Sequence, residues 1–193
     1  MMREKIVLSQ EEIQKICAKL AKQIEEKIKD ADKVPVFVGV LKGSLNFMMD
    51  LLKYIKTPIY TDYIQVRSYF GTSSTGRVQL LKDLSYDCEG RDVFIIEDIV
   101  DTGLSMQFLL EHIKSHQPRN IYICALFDKI NARMVEIHVD FPGKVLEKND
   151  FLIGYGLDYN ELERNVPFVY SADPEDIRVL DEILEKDEND SRE

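Results

Sequence analysis

The stretch VFIIEDIVDTGLSM, residues 93–106, decides how this chain is read. Its first half is a continuous apolar run rich in β-branched side chains, the pattern of a strand buried on both faces of a sheet. Glu97 and Asp98 emerge at the end of that strand. Burying charge there is costly unless the carboxylates are paired, hydrogen-bonded or metal-bound. DTGLS then turns the chain toward Met106, Leu109, Leu110 and Ile113, which mark one face of a helix that stops before Pro118. A helix start presents N–H groups and the positive end of the macrodipole, so phosphate is a natural ligand. Gly103 allows a close backbone approach, and Thr102 and Ser105 add hydroxyls. One reading has Asp101 merely capping the helix, with Thr102, Gly103 and Ser105 as turn residues. Capping does not account for two further acids at the strand end. Acids beside an anion cradle suit a ligand carrying both a phosphate and a sugar diol. The carboxylates accept hydrogen bonds from the diol, directly or through Mg²⁺, while the amides hold the phosphate.

Outward from this stretch, strands and helices alternate. Ser9 with Glu12 reads as a capping box, and the apolar spacing from Ile13 to Ile28 predicts an amphipathic helix over 10–29. VPVFVGV (34–40) is a second strand buried on both faces, followed by the polar turn KGS (42–44) and a helix over 45–55. IYTDYIQV (59–66) alternates as a strand, SYFGTSSTG (68–76) reads as a mobile loop, and RVQLL (77–81) as its returning strand. NIYICALF (120–127) is another strand and FLIGYG (151–156) a late apolar segment. Asp173 and Pro174 begin a short acidic helix as cap and first position. This order predicts an α/β fold with an open, mainly parallel sheet flanked by helices. Ligands bind beyond the carboxyl ends of the strands in such sheets, which is where KGS and EDIVDTGLS sit.

The 193 residues form about one domain, long enough for a core without disulfides. Residues 1–185 are read as that domain and the acidic 186–193 as a disordered tail. A net charge of -10 argues against broad binding to nucleic acid or anionic membrane. Cys17, Cys88 and Cys124 are widely spaced and odd in number, so no disulfide framework is expected; a reducing cytoplasm fits, with Cys17 and Cys124 as small core residues. No signal peptide or membrane-spanning helix is expected. His112, His116 and His138 are read as lacking ligand or triad spacing and receive no chemistry.

Residues 93–106 resemble the ribose-phosphate signature of type I phosphoribosyltransferases: an apolar strand, Glu-Asp, two apolar residues, Asp-Thr-Gly, a variable residue and Ser or Thr. Other segments are similar to the hypoxanthine (guanine) phosphoribosyltransferases in particular. VGVLKGS (38–44) resembles their pyrophosphate loop, in which the bond equivalent to Leu41–Lys42 can be cis. RSYFGTSSTG (67–76) resembles their flexible catalytic loop, with Ser68 and Tyr69 at the paired positions. LFDKI (126–130) resembles their purine-reading lysine motif, and FLIGYGLDYNELERN (151–165) their late segment. Two departures are Leu104, where relatives carry a polar or basic residue, and FPGKVLEKNDF (141–151), which has one residue more than usual.

The resemblance implies the type I phosphoribosyltransferase fold with a small hood built from both chain ends. It also implies a Mg²⁺-dependent reaction in which a 6-oxopurine displaces pyrophosphate from phosphoribosyl pyrophosphate. Asp101 would be the general base at the purine N7. Glu97 and Asp98 would hold the ribose hydroxyls and a Mg²⁺, and Asp101, Thr102, Gly103, Leu104 and Ser105 the 5′-phosphate. Leu41, Lys42, Gly43 and Arg164 would face pyrophosphate, and Asp158 a second Mg²⁺. Lys129 would donate to the purine O6, with Phe151 stacking on the ring and the Leu152 backbone at its edge. The partners implied are these small molecules and further copies of the chain, as homodimer or homotetramer. Residue by residue, plainer readings stand beside these: a solvated Lys129, a core Phe151, an Arg164 paired with Glu161, an Asp158 that forms a turn. Rival functions are a transferase for xanthine, orotate or adenine, and a nucleotide-sensing regulator of the same fold.

Overall fold

The computed structural model describes residues 5–69 and 77–190. The chain divides into two compact units, Gln14–Asn149 and the paired chain ends Met1–Ile13 with Asp150–Glu193. The unit made of both chain ends corresponds to the small one that the resemblance implies. The smaller unit is discontinuous in sequence, so no linker announces it.

The larger unit is built on a sheet of β2 (Val36–Leu41), β3 (Tyr60–Tyr69), β4 (Arg77–Lys82), β5 (Asp92–Val100), β6 (Asn120–Lys129) and β7 (Phe141–Leu146). The spatial order is β4-β3-β2-β5-β6-β7. All neighbours pair in parallel except the β3–β4 hairpin at one edge. β5 is central because both its faces are apolar. Val93 and Ile95 pack with Val36, Val38, Ile123 and Ala125 on one side. On the other, Phe94 stacks on Phe37 at 4.8 Å and lies 4.9 Å from Tyr122. Each such side chain contributes about 1.5–3 kcal/mol by leaving water, so the register of β5 is strongly fixed: a one-residue slip would exchange its faces. Asp92, buried at the entry of β5, is held by Arg119 and Asn120.

Helices close the connections. α1 (Gln10–Ile28) opens with the predicted reciprocal box: Glu12 N–H donates to Ser9 Oγ, and Ser9 N–H to Glu12 Oε2. α2 (Leu45–Leu52) follows β2, and α3 (Leu104–Lys114) follows β5. The strand order runs outward one way from β2 to β3 and the other way from β5 to β7. The point of reversal therefore lies between β2 and β5, where open α/β sheets form their ligand crevice. The Leu41–Lys42 peptide at the end of β2 is cis.

The smaller unit has its own sheet, ordered β1 (Ile6–Leu8), β9 (Val169–Ser171), β8 (Leu152–Ile153), all antiparallel. Ile153, Tyr170 and Leu180 form its core with Tyr159, Leu162 and Ile177 packed around them. α4 (Pro174–Asp190) starts as expected, with Asp173 accepting from the N–H groups of Glu175 and Asp176. It runs to Asp190, past residue 186, where the sequence suggested a disordered tail. Leu180 buries one face, and Arg178 bridges Glu175 and Glu182 at helical spacing.

Candidate active site

Strand register assembles one end of the larger unit. Gly39 pairs with Ile96, so the next residues along, 41–43 and 97–98, emerge side by side. Val100 pairs with Asp128, which brings Asp101 beside Lys129. The approach is close. A Cβ on Gly43 would stand 1.8 Å from Asp98 Oδ2, so the carboxylate lies over a backbone that only glycine permits. Asp98 Oδ1 accepts from Ile99 N–H at 2.9 Å, and Glu97 Oε1 from Asp98 N–H at 3.2 Å. Burial, and then the adjacent Asp98 charge, push the Glu97 carboxyl well above the usual range.

A cavity of about 220 Å³ opens at the DTGLS turn, lined by Glu97, Asp101, Thr102, Gly103 and Ser105 together with apolar neighbours. The N-cap of α3 is Gly103, at φ 85°, with no side-chain cap. Asp101 therefore does not serve as the cap, while Thr102 Oγ1 accepts from Leu104 N–H at 3.5 Å, as a turn residue would. Only glycine suits the position: beyond the left-handed φ, a Cβ would meet Ile137 at 2.9 Å and Val135 at 3.0 Å. Leu104 is the first residue of α3 and is not among the residues lining the cavity. A larger cavity, about 440 Å³, lies between the end of α3 and the start of β6 and contains none of the motif residues.

Lys129 is not a solvated surface lysine. It is 6% exposed, and its ammonium donates to Asp101 Oδ2 at 3.3 Å and to Asn149 Oδ1 at 3.2 Å. An acid and a base from adjacent strands thus share one corner.

Arg133 carries no signal in the sequence pattern. Its guanidinium donates to the carbonyls of Val100, Asp101 and Lys129, and pairs with the buried Asp128 carboxylate. The amides of Met134 and Val135 also donate to the Thr102 carbonyl. The segment after β6 therefore fixes the turn from below. An arginine in a loop gives no signal in one sequence, because its partners are carbonyls and an acid brought near by strand register.

In the smaller unit, Arg164 and Asp158 meet in an ion pair of 2.8 Å. Arg164 also donates to the Gly156 carbonyl at 2.6 Å and contacts Glu161 at 3.3 Å. Asp158 also accepts from Glu161 N–H at 2.8 Å, as its turn-forming reading expected. Around them Tyr155, Asn160, Glu161 and Glu163 have left-handed φ values. Phe151 is 51% exposed and meets Tyr159 edge-on at 6.2 Å, which is not a core placement. Leu152 is buried in β8 opposite Ser171. Ser68 and Tyr69 end β3, but their side chains, like the loop 70–76, lie outside the described residues.

A phosphoribosyl transferase domain model matches residues 5–160. The chain belongs to the phosphoribosyltransferase family. Among curated relatives of this family, a hypoxanthine-guanine phosphoribosyltransferase of Staphylococcus epidermidis is 44% identical over 165 residues, 85% of this chain and 90% of that protein. A crystal structure of a hypoxanthine phosphoribosyltransferase from Staphylococcus aureus superposes with a TM-score of 0.83 at 42% identity, covering 89% of this chain and 92% of the other. A hypoxanthine-guanine phosphoribosyltransferase from Bacillus anthracis, crystallised with HEPES in its active site, gives 0.82 at 36% identity over 88% and 99% of the two chains. The mainly parallel sheet with flanking helices is the type I phosphoribosyltransferase fold of these neighbours. No helix among the described residues is long and apolar enough to cross a membrane.

Proposed function

We propose that this phosphoribosyltransferase salvages purines, transferring a phosphoribosyl group from phosphoribosyl pyrophosphate to hypoxanthine and guanine and releasing pyrophosphate. The observation that carries the reading is the Lys129–Asp101 corner. A 6-oxopurine presents O6 and N7 side by side on one edge. A cation next to a carboxylate matches that edge: Lys129 donates to O6, and Asp101 takes the proton from N7 as the bond to the anomeric carbon forms. An amino group at C6 would instead place donors against the ammonium, so adenine is disfavoured.

The remaining roles are those that the family resemblance implies. The amides of Thr102 to Ser105 and the dipole of α3 hold the 5′-phosphate. Glu97 and Asp98 accept from the ribose hydroxyls. Lys42, Gly43 and Arg164 bind pyrophosphate, Arg164 through its forked donors, and Phe151 stacks on the purine. The pairing of Arg164 with Asp158 keeps that guanidinium oriented.

The donor set also fits Mg²⁺. Adjacent Glu97 and Asp98 offer hard carboxylate oxygens, and Mg²⁺ characteristically binds one or two carboxylates together with water and substrate phosphates. Asp158 would hold a second ion. The metal supplies charge neutralisation of the departing pyrophosphate. Copies of the chain assemble as a dimer or tetramer in the cytoplasm. The closeness of the hypoxanthine-guanine relatives and the chain's acidity support this reading over a nucleic-acid-binding regulator.

The test is a panel of hypoxanthine, guanine, xanthine, adenine and orotate with phosphoribosyl pyrophosphate and Mg²⁺, followed by pyrophosphate release. Turnover of hypoxanthine or guanine is expected, and none of adenine. Silence with both 6-oxopurines would overturn the assignment, and omission of Mg²⁺ with full retention of rate would remove the metal from it.

A further inference from the structure

The histidines need correction. His112 and His116 are four residues apart, which places both on one face of a helix. His112 lies in the last turn of α3, and the turn continues past the helix end through His116 N–H donating to the Ile113 carbonyl. The two rings meet edge-on at 5.2 Å. Facing them is Asp83, the residue after β4, whose Oδ1 accepts from His112 Nε2 at 2.6 Å and from Leu84 N–H at 2.7 Å. Ligand atoms of Asp83, His112 and His116 all lie within 4.8 Å of one another. His138 is not part of the group.

We propose that Asp83, His112 and His116 form a binding site for one transition-metal ion of the zinc class, separate from the catalytic centre. Tetrahedral zinc takes His and carboxylate ligands at about 2.0–2.2 Å, which sets ligand atoms about 3.4 Å apart. To reach that spacing the 2.6 Å His112–Asp83 contact opens and the wider separations, all within 4.8 Å, close. Neutral imidazoles favour Zn²⁺, Ni²⁺, Co²⁺ or Cu²⁺, whereas Mg²⁺ demands oxygen donors. Three protein ligands leave one position for water. The C-terminal end of α3 carries the negative pole of its dipole, which also favours a cation. α3 has 11 residues, so this end is about 16 Å from the phosphate-binding turn. An ion here does not touch substrate; it ties the end of the β3–β4 hairpin to the helix whose other end forms the cradle.

An ordinary His112–Asp83 ion pair would give His116 no part, and that separates the two readings. The full chain, stripped with a chelator, is titrated with zinc alone by calorimetry in excess Mg²⁺, which saturates the carboxylates of the active site. The three cysteines are buried and supply no competing surface thiol. One zinc per chain is expected, with an accompanying rise in melting temperature. His112→Gln and His116→Gln should each weaken binding at least about tenfold and abolish the thermal shift. His116→Gln removes no bond to Asp83, so its metal-free melting temperature should match the parent. Unchanged zinc affinity in His116→Gln, or no saturable binding by the parent, would overturn the site.

Discussion

Arg133→Met tests whether the base of the DTGLS turn is held by one side chain. The substitution keeps length and apolar stem but removes every donor. Asp128 is then left 8% exposed without its cation. Removing one partner of a buried ion pair costs about 3–5 kcal/mol, out of a total stability of roughly 5–15 kcal/mol. The carbonyls of Val100, Asp101 and Lys129 lose their shared donor too, which frees the turn bearing the proposed base. A displacement of about 1 Å in a reacting group can reduce rate by about 10²-fold. Urea unfolding and steady-state kinetics at a temperature where the variant stays folded read the two effects separately. Arg133→Met/Asp128→Asn resolves them further: removing the orphaned charge should restore part of the stability but not the rate. Parent-like kcat/KM in either variant would refute the positioning role and leave Arg133 a purely structural residue.

Asp101→Asn should lower kcat by about 10²–10⁴-fold while phosphoribosyl pyrophosphate affinity, measured by calorimetry, changes little; equal rates would remove Asp101 as base. Gly103→Ala should destabilise by at least about 1–2 kcal/mol through its left-handed φ alone, and more through contact with Ile137 and Val135; an unshifted thermal melt would contradict the backbone assignment. Acid stability follows from two structural carboxylates. Burial alone would raise Asp92 and Asp62, but hydrogen bonds from Arg119 and Asn120 to the first, and from the amides of Ser85, Tyr63 and Tyr86 to the second, leave both below the usual range. A carboxyl depressed by folding stabilises fully above its unfolded pKa of about 3.9, and that contribution is lost as pH falls through the folded value. Melting temperature should therefore drop below about pH 4, and Asp92→Asn should flatten that drop; an unchanged acid limb in the variant would count against it.

What could be read from the chain, and what could not, follows the range of the interactions involved. β2, β5 and β6 were legible because burial on both faces writes an uninterrupted apolar run, and the caps at Ser9 and Asp173 because they are local. β7 was not, since Pro142 and Gly143 argue against a strand. Pro142 is tolerated because β7 is the sheet's edge. Gly143 is required because a Cβ would stand 2.6 Å from the Leu126 carbonyl. β1 and β9 are three residues each and exist only through a pairing across almost the whole chain. Glu97, Asp98 and Asp101 stood out because acids beside an apolar strand need a reason. Arg133 and the His112–His116–Asp83 group did not, because their partners are supplied by tertiary structure.

The acids of this protein fall into two kinds by what holds them. Asp62 and Asp92 are consumed by the fold: one is met by three amides and Lys82, the other by Arg119 and Asn120, and both lie in positions where loss of the charge loosens a strand end. Glu97 and Asp98 instead accept from the amide of the very next residue. A carboxyl group offers more lone-pair sites than such a local bond uses, and the two sit side by side at the reversal point of the sheet, where burial and the Asp98 charge push the Glu97 carboxyl up. A sequence under selection for stability alone would not keep two adjacent acids there. Their geometry makes sense as acceptors aimed at hydroxyls or a cation brought by a ligand, with Gly43 kept bare so that Asp98 can lie across the backbone where the leaving group would bind.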